Sequence, residues 1–137
     1  MRTLGLDLGR ATIGLALADE VLRTARPLRT LRRAGEEKDL SAIRKVVEEF
    51  EVSRAVVGLP LNMDGSEGAS ARMARAFAGR LGDALGLPVE LEDERLSTFE
   101  AAGRLRERGL RAREQKGVID AEAAAVILQG WMDRRSA

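Results

Sequence analysis

The sequence contains no histidine, no cysteine and no tyrosine. Without histidine and cysteine, the chain has neither the usual general base of neutral pH nor a thiol nucleophile, and it lacks the nitrogen and sulfur ligands that zinc prefers. The side chains left for catalysis are carboxylates, hydroxyls, lysine and arginine. Carboxylate oxygens are hard ligands that suit Mg²⁺ or Mn²⁺. The composition therefore favours a metal-assisted reaction at phosphorus.

Long apolar runs and a charged-then-apolar leader are also missing, so we expect a cytoplasmic protein without a membrane segment. The 137 residues fit one domain spanning residues 1–137. Because the net charge is only +1, any contact with nucleic acid must come from clustered charge. Two basic clusters are present: Arg23, Arg26, Arg29, Arg32 and Arg33, and then Arg104, Arg106, Arg108, Arg111, Arg113 and Lys116.

The pattern of apolar residues predicts a mixed α/β fold. Residues 3–8 and 13–18 alternate around a turn and predict an antiparallel hairpin, with a third short strand over residues 27–31. The elements expected after them are a helix over 36–50, a strand over 55–58, a helix over 70–85, a strand over 89–93, a helix over 97–108 and a last helix that begins at Asp120 or a neighbour. Helical crossovers force parallel pairing, so we expect hairpin-linked antiparallel strands plus parallel strands in one central sheet, flanked by helices.

Acidic residues stand at the edges of apolar segments in three places: Asp7, the pair Asp93 and Glu94, and Asp120. A charge in such a position is costly unless something pairs with it. In open α/β sheets, ligands bind at the carboxyl ends of parallel strands near a change in strand order. Asp7 and the Asp93–Glu94 pair are expected at such strand ends, and Asp120 at a helix start would face the same edge. This arrangement predicts a carboxylate metal site.

Each of these residues also has a purely structural interpretation. Asp7 precedes a glycine and would help to shape a turn. Asp93 would cap a loop or pair with Arg95. An aspartate at a helix N-cap stabilises the helix by about 1 kcal/mol without any further function, and this alternative is strongest for Asp120.

Residues 59–68 form a predicted loop of ten residues between a strand and a helix. Such connections usually take about 2–6 residues, and long loops at this edge of a sheet often carry function. Asn62, Asp64 and Ser66 are therefore candidate substrate contacts. A simple surface loop is the alternative.

Four ordered segments resemble the YqgF/RuvX family of bacterial proteins, and they span nearly the whole chain: G-L-D-L-G-R-A-T-I-G-L-A-L-A-D, V-V-G-L-P-L-N-M-D-G-S-E-G, D-E-R-L-S-T-F-E-A and K-G-V-I-D-A-E-A-A-A-V-I-L. The resemblance implies a ribonuclease H-like fold. It also implies a nuclease that processes the 5′ end of precursor 16S ribosomal RNA, whereas the family was earlier proposed to resolve Holliday junctions.

The resemblance implies an acidic, metal-binding and catalytic triad of Asp7, Glu94 and Asp120. Asp93 remains a rival to Glu94 as a metal ligand, because consecutive strand residues face opposite sides and only one of the two can point inward. The implied chemistry is hydrolysis of a phosphodiester with two Mg²⁺ or Mn²⁺ ions about 3.5–4 Å apart.

Basic residues near the triad are expected to hold the phosphates that flank the scissile bond. Family members often carry a basic residue where Ala11 or Thr12 stands here, so Arg10 would supply that charge. Arg95 and Lys116 are the other candidates, and affinity for nucleic acid should fall with salt. The expected partner is precursor 16S rRNA or a ribosomal precursor particle, with branched DNA as the alternative.

Other functions fit part of the sequence. The segment Asp7-Leu8-Gly9 with Gly14 resembles the phosphate-binding opening of actin-like ATPases and sugar kinases, but those enzymes need two such domains. A non-catalytic RNA-binding factor of ribosome assembly would keep the fold and fail to bind metal. Paired cuts in a DNA junction would require a homodimer, whereas a monomer would suffice to trim an RNA end.

Overall fold

The computed structural model describes residues 1–94 and 112–136, with the backbone alone for residues 112–119 and 136. The strands of this part are β1 (Arg2–Leu8), β2 (Thr12–Asp19), β3 (Thr24–Arg32), β4 (Val52–Leu59) and β5 (Val89–Asp93). The helices are α1 (Glu36–Glu49), α2 (Ala69–Leu85) and α3 (Ala112–Ser136). The helix expected over residues 97–108 lies outside the described residues.

The five strands form one sheet in the order β3-β2-β1-β4-β5. Pairing is antiparallel from β1 through β3, and β4 runs parallel to both β1 and β5. The predicted mixed sheet is therefore confirmed. The ends of β1, β4 and β5 lie at one edge, which we call the carboxyl edge, together with the start of β2 and the end of β3.

One face of the sheet carries large apolar side chains. Leu4, Leu6 and Leu15 are completely buried there, in a cluster with Ile43 of α1 and Phe77 of α2. Burying each side chain of this size stabilises the fold by roughly 1.5–3 kcal/mol. Helices α1 and α2 cover this face, which forms the main core.

The opposite face carries small residues, and α3 packs closely on it. A Cβ atom built on Gly5 would come within 2.9 Å of the Leu128 Cβ, and one on Gly14 would overlap the main-chain carbonyl of Asp120. Helix α3 also has small residues at this contact, because Ala124 and Ala125 are buried in this second cluster. The glycines thus set how near α3 lies to the carboxyl edge.

The prediction that the last helix begins at Asp120 or a neighbour is wrong. Helix α3 already includes Ala112, so Asp120 lies more than two turns inside it. The segment A-R-E-Q-K-G-V-I consists mostly of good helix formers, and one glycine costs too little to end a helix that also packs on a sheet. The N-cap interpretation of Asp120 is excluded with it.

Among the helices of the described part, none combines the length and the apolar character that crossing a membrane requires.

Replacing Gly14 with alanine tests the close approach of α3. The added methyl group would meet the backbone of Asp120, so we expect the free energy of unfolding to fall by about 2 kcal/mol or more. Gly79 in α2 is the matched control, because a Cβ there meets nothing within 4 Å. Gly79→Ala should stabilise the protein by about 0.5–1 kcal/mol through helix propensity. Urea unfolding measures both, and a Gly14→Ala variant as stable as the wild type would contradict this packing.

Candidate active site

Asp7 lies one residue before the end of β1 and faces α3. Its cross-strand partner is Gly14 in β2, so no side chain shields it on that side. The pKa of Asp7 is raised to about 6, first because the carboxyl group is largely buried and then because the negative charge of Asp120 is near. A hydrogen bond with Glu94 lowers the pKa of Asp7, but by less than these two effects raise it. Asp7 therefore sits where a negative charge is poorly stabilised by the protein alone.

Glu94 follows β5 directly and brings a second carboxyl group to Asp7. Its main-chain N–H donates to the carbonyl of Leu59 at 3.2 Å. Its Oε2 atom occupies the space where a side chain at position 58 would begin, so Gly58 makes room for it. Among the described residues, this buried oxygen has no hydrogen-bond partner.

The pKa of Glu94 is raised to about 8. Burial is the largest cause, and the charge of Asp7 is the second. A hydrogen bond between protonated Glu94 and Asp7 raises the pKa further, and so does the charge of Asp93. At neutral pH in the absence of a cation, the Asp7–Glu94 pair therefore keeps a proton. The two groups share one negative charge because two would repel at this distance.

Strand alternation separates Glu94 from Asp93. Glu90 and Glu92 lie on the α3 side of β5, where arginines at the end of α3 pair with both of them. Glu94 continues this row, and its carboxyl group lies next to that of Asp7. Asp93 lies between them in sequence and is exposed. The geometry therefore brings Glu94, and not Asp93, to Asp7.

Asp120 reaches the same edge from α3. Its Oδ2 atom accepts a hydrogen bond from the hydroxyl of Thr12 at 2.5 Å, and its charge raises the pKa of Asp7. Thr12 is the first residue of β2. This hydrogen bond fixes the direction of the Asp120 carboxylate, which the sequence did not indicate.

The three carboxyl groups make two separate contacts and do not form a complete coordination sphere. Asp7 contacts Glu94, and Asp120 contacts Thr12. Among the side chains of residues 1–94 and 120–135, no group of three acidic residues is gathered closely enough to hold a metal ion as it stands. The donors nevertheless fit a divalent cation, because they are all oxygen atoms, two have raised pKa values and one buried oxygen lacks a partner.

The loop between β4 and α2 is held together by the three residues predicted to contact substrate. The Asn62 amide donates to the Ser66 hydroxyl at 2.9 Å, and that hydroxyl donates to Asp64 Oδ1 at 2.6 Å. The main-chain N–H of Ser66 also donates to Asp64 Oδ1 at 2.9 Å. These polar groups shape an exposed loop at the carboxyl edge, and contact with substrate stays a prediction.

The three predicted phosphate-binding residues differ in what the structure describes. Arg10 is exposed in the bend between β1 and β2, close to Asp7 in the chain. Lys116 lies in α3, one turn before Asp120, in the part for which the backbone alone is described. Arg95 lies outside the described residues.

A structural role for Arg33 was missed by the sequence analysis. Its guanidinium donates to Asp39 at 3.2 Å and to the Gly9 carbonyl at 3.1 Å, so it fixes the bend that follows Asp7. Asp39 is only 3% exposed, which makes this a largely buried ion pair. An aspartate in the first turn of an amphipathic helix ordinarily stabilises the helix N-terminus by its charge, so this pair could not be recognised from the sequence pattern. The glycines within the strands, Gly14 and Gly58, were a better signal of close approach.

Comparisons with known proteins show which family this chain belongs to. A sequence model of the family described as "RuvX: Holliday junction resolvase" matches residues 1–134. A protein of Anaeromyxobacter sp. (strain K) is 71% identical over 136 residues, covering 99% of both chains. One of Myxococcus xanthus (strain DK1622) is 50% identical over 133 residues, covering 97% of this chain and 88% of that protein. Both relatives carry the name "Putative pre-16S rRNA nuclease".

Two solved structures share the fold at low sequence identity. Thermus thermophilus RuvC in complex with a Holliday junction substrate has a TM-score of 0.62 at 21% identity, covering 99% of this chain and 96% of RuvC. Fowlpox virus resolvase with Holliday junction DNA has a TM-score of 0.63 at 8% identity, covering 100% of both chains. The mixed sheet with its helices is thus the ribonuclease H-like fold. With a family match across almost its full length, this chain belongs to the RuvX family.

Proposed function

We propose that the protein is a metal-dependent nuclease that hydrolyses phosphodiester bonds and processes the 5′ end of precursor 16S rRNA. The observation that carries this proposal is the partly buried contact between Asp7 and Glu94 at the carboxyl edge, with Asp120 beside it. The names of the relatives at 71% and 50% identity support the choice of RNA. The protein would act in ribosome biogenesis.

A cation explains why carboxyl groups are placed together where charge is unfavourable. Burial and mutual repulsion raise the pKa values of Asp7 and Glu94, and a bound divalent ion would stabilise both ionised forms. Two Mg²⁺ or Mn²⁺ ions, the number expected from the sequence, would be held by Asp7, Glu94 and Asp120. When bound, the ions supply an activated water and stabilise the leaving oxygen.

The residues around the carboxylates would prepare the site for substrate. Thr12 directs Asp120 toward the edge through its hydroxyl, and Arg33 fixes the bend that carries Arg10. Arg10 is exposed and available to a flanking phosphate. The single tryptophan, Trp131, is only 4% exposed, so it offers no platform for base stacking. Recognition of the backbone and of RNA shape fits this surface better than base-by-base reading.

Resolution of branched DNA is the second candidate function. It is favoured by the description of the family and by the two solved resolvases with the same fold. The RNA substrate ranks higher because it rests on relatives with much greater sequence identity. An assembly factor that binds RNA without cutting it would lack metal-dependent activity.

Cleavage of two substrates in parallel tests the proposed function. A precursor 16S leader RNA and a four-way DNA junction are incubated with Mg²⁺ or Mn²⁺ and each protein variant. We expect the wild type to cut the RNA, and Asp7→Asn or Glu94→Gln to lower the rate by about 100-fold or more, because each removes a direct ligand. Asp93→Asn is the matched control and should stay within about twofold of the wild type, since Asp93 faces away.

Other results of that experiment would contradict the proposal in distinct ways. Paired cuts in the junction alone would identify a resolvase. Failure to cut either substrate, with RNA binding retained, would indicate the assembly factor. Equal loss of activity in Asp93→Asn and Glu94→Gln would contradict the assignment of Glu94.

Thermal unfolding in EDTA tests the raised pKa values. Because folding raises the pKa of Glu94 from 4.5 to about 8, the folded chain holds a proton that the unfolded chain has released between these values. Stability from this group is therefore present at low pH and is lost as pH rises from about 5 to 8. The Tm of the wild type should fall over this range by several degrees more than that of Glu94→Gln, with Asp93→Asn resembling the wild type. Identical pH dependence of wild type and Glu94→Gln would contradict the burial of Glu94.

A further inference from the structure

The first arginine cluster of the sequence separates into two groups in the structure. Arg23 donates to the Met132 carbonyl at 2.9 Å, Arg29 pairs with Glu49 at 3.7 Å, and Arg33 pairs with Asp39 at 3.2 Å. Arg26 and Arg32 are exposed on β3, and neither has a hydrogen-bond or ion-pair partner among the residues that the structure describes. Within the described part of the chain, these two arginines of the cluster remain exposed and make no ion pair.

Strand register places Arg32 beside the carboxylates. Arg32 pairs with Thr12 across β2 and β3, so the two side chains share one face of the sheet. The Thr12 hydroxyl contacts Asp120. Directly opposed side chains in an antiparallel pair have Cβ atoms about 4.5–5.5 Å apart. The long side chain of Arg32 therefore begins next to Thr12, the residue that contacts Asp120.

Arg26 lies at the other end of the same strand and on the other face. Its register partner is Leu17, whose side chain is buried in the core on the side of α1 and α2. Arg26 and Arg32 are therefore both exposed arginines on the same edge strand, but they differ in their position relative to Asp120. The pair provides a variant and its matched control.

Arg10 approaches the same corner from the bend between β1 and β2. This bend is closed by a hydrogen bond from the Gly9 N–H to the Thr12 carbonyl at 2.8 Å. The N–H of Arg33 donates to the Ala11 carbonyl at 2.9 Å, which ties the bend to the end of β3. Arg10 and Arg32 are thus held on neighbouring segments of the carboxyl edge.

We propose that Arg32 binds a backbone phosphate of the substrate strand as it leaves the carboxylates across the β2–β3 side of the sheet, with Arg10 on the neighbouring bend. This inference rests on the proposed nuclease function and adds the path that the nucleic-acid strand takes across the protein surface. Carboxylates repel phosphates, so a strand held over Asp7, Glu94 and Asp120 needs cations at the rim of the site. The planar guanidinium of arginine suits phosphate oxygens, and a phosphate contact carries no base preference.

Binding of single-stranded RNA tests this inference separately from cleavage. The probe is a fluorescein-labelled oligonucleotide from the precursor 16S leader, and all proteins carry Asp7→Asn so that it is not cut. Fluorescence anisotropy between 50 and 200 mM KCl compares this background with Arg32→Gln and Arg26→Gln added. We expect Arg32→Gln to weaken binding several-fold and to reduce the slope of log K against log salt by about 0.7, as for one lost phosphate contact on a single strand.

Arg26→Gln should leave affinity and slope unchanged, and Arg32→Lys should restore the slope because it keeps the charge. Circular dichroism melting confirms that each variant is folded, as expected for exposed positions. Equal effects of Arg32→Gln and Arg26→Gln, or an unchanged slope for Arg32→Gln, would overturn the inference. If the wild-type protein cuts the leader RNA while Arg32→Gln binds normally, the inference about Arg32 is wrong and the proposed nuclease function stands. If the wild type cuts nothing, the proposed function fails and the binding comparison still decides the role of Arg32.

Discussion

Two carboxyl groups lie side by side in a partly buried position at the carboxyl edge, and most of the surrounding structure serves this contact. Asp7 and Glu94 both have raised pKa values because burial and the neighbouring charge disfavour ionisation. A folded protein tolerates such an arrangement when a proton or a cation neutralises part of the charge. With Asp120 nearby and no histidine or cysteine in the chain, a hard divalent cation is the partner that this chemistry favours.

The packing of the sheet makes the contact possible. Large side chains fill the face toward α1 and α2, whereas the strands carry Gly5, Gly14, Ala16 and Ala18 where α3 packs on the other face. Gly14 lets the backbone at Asp120 approach β2, and Gly58 leaves space for the Glu94 carboxyl. Farther along β5, Glu90 and Glu92 are paired with arginines of α3. Glu94 ends this row of acids, and its carboxyl group lies beside that of Asp7.

Sequence patterns predicted this site where local rules decide the structure. The hairpin of β1 and β2 and the strand β5 followed from alternation and turn residues, and they put Asp7 and Glu94 at strand ends. The choice between Asp93 and Glu94 required knowledge of which face α3 covers, which period-two alternation alone does not give. The start of α3 was missed because Asp120 has the features of an N-cap while the preceding residues are also good helix formers.

Contacts between distant segments were the least predictable part. The hydrogen bond from Thr12 to Asp120 joins residues 108 positions apart, and the role of Arg33 depends on a bend that tertiary packing creates. Five arginines looked alike in the sequence, and strand register with side-chain partners separates Arg32 from the others. The loop residues Asn62, Asp64 and Ser66 were chosen for their position at the edge, and their hydrogen bonds to one another are a property of the loop's own fold.

Calorimetric titration with Mn²⁺ at pH 7 most directly tests whether the Asp7–Glu94 contact is a cation site. Repeating it in buffers with different ionisation enthalpies measures the number of protons released. We expect the wild type and Asp93→Asn to bind Mn²⁺ with release of close to one proton, since Glu94 must lose its proton to become a ligand. Asp7→Asn and Glu94→Gln should bind far more weakly. Binding that is absent in the wild type, or unchanged in Glu94→Gln, would show that these carboxyl groups are not brought together for a metal ion.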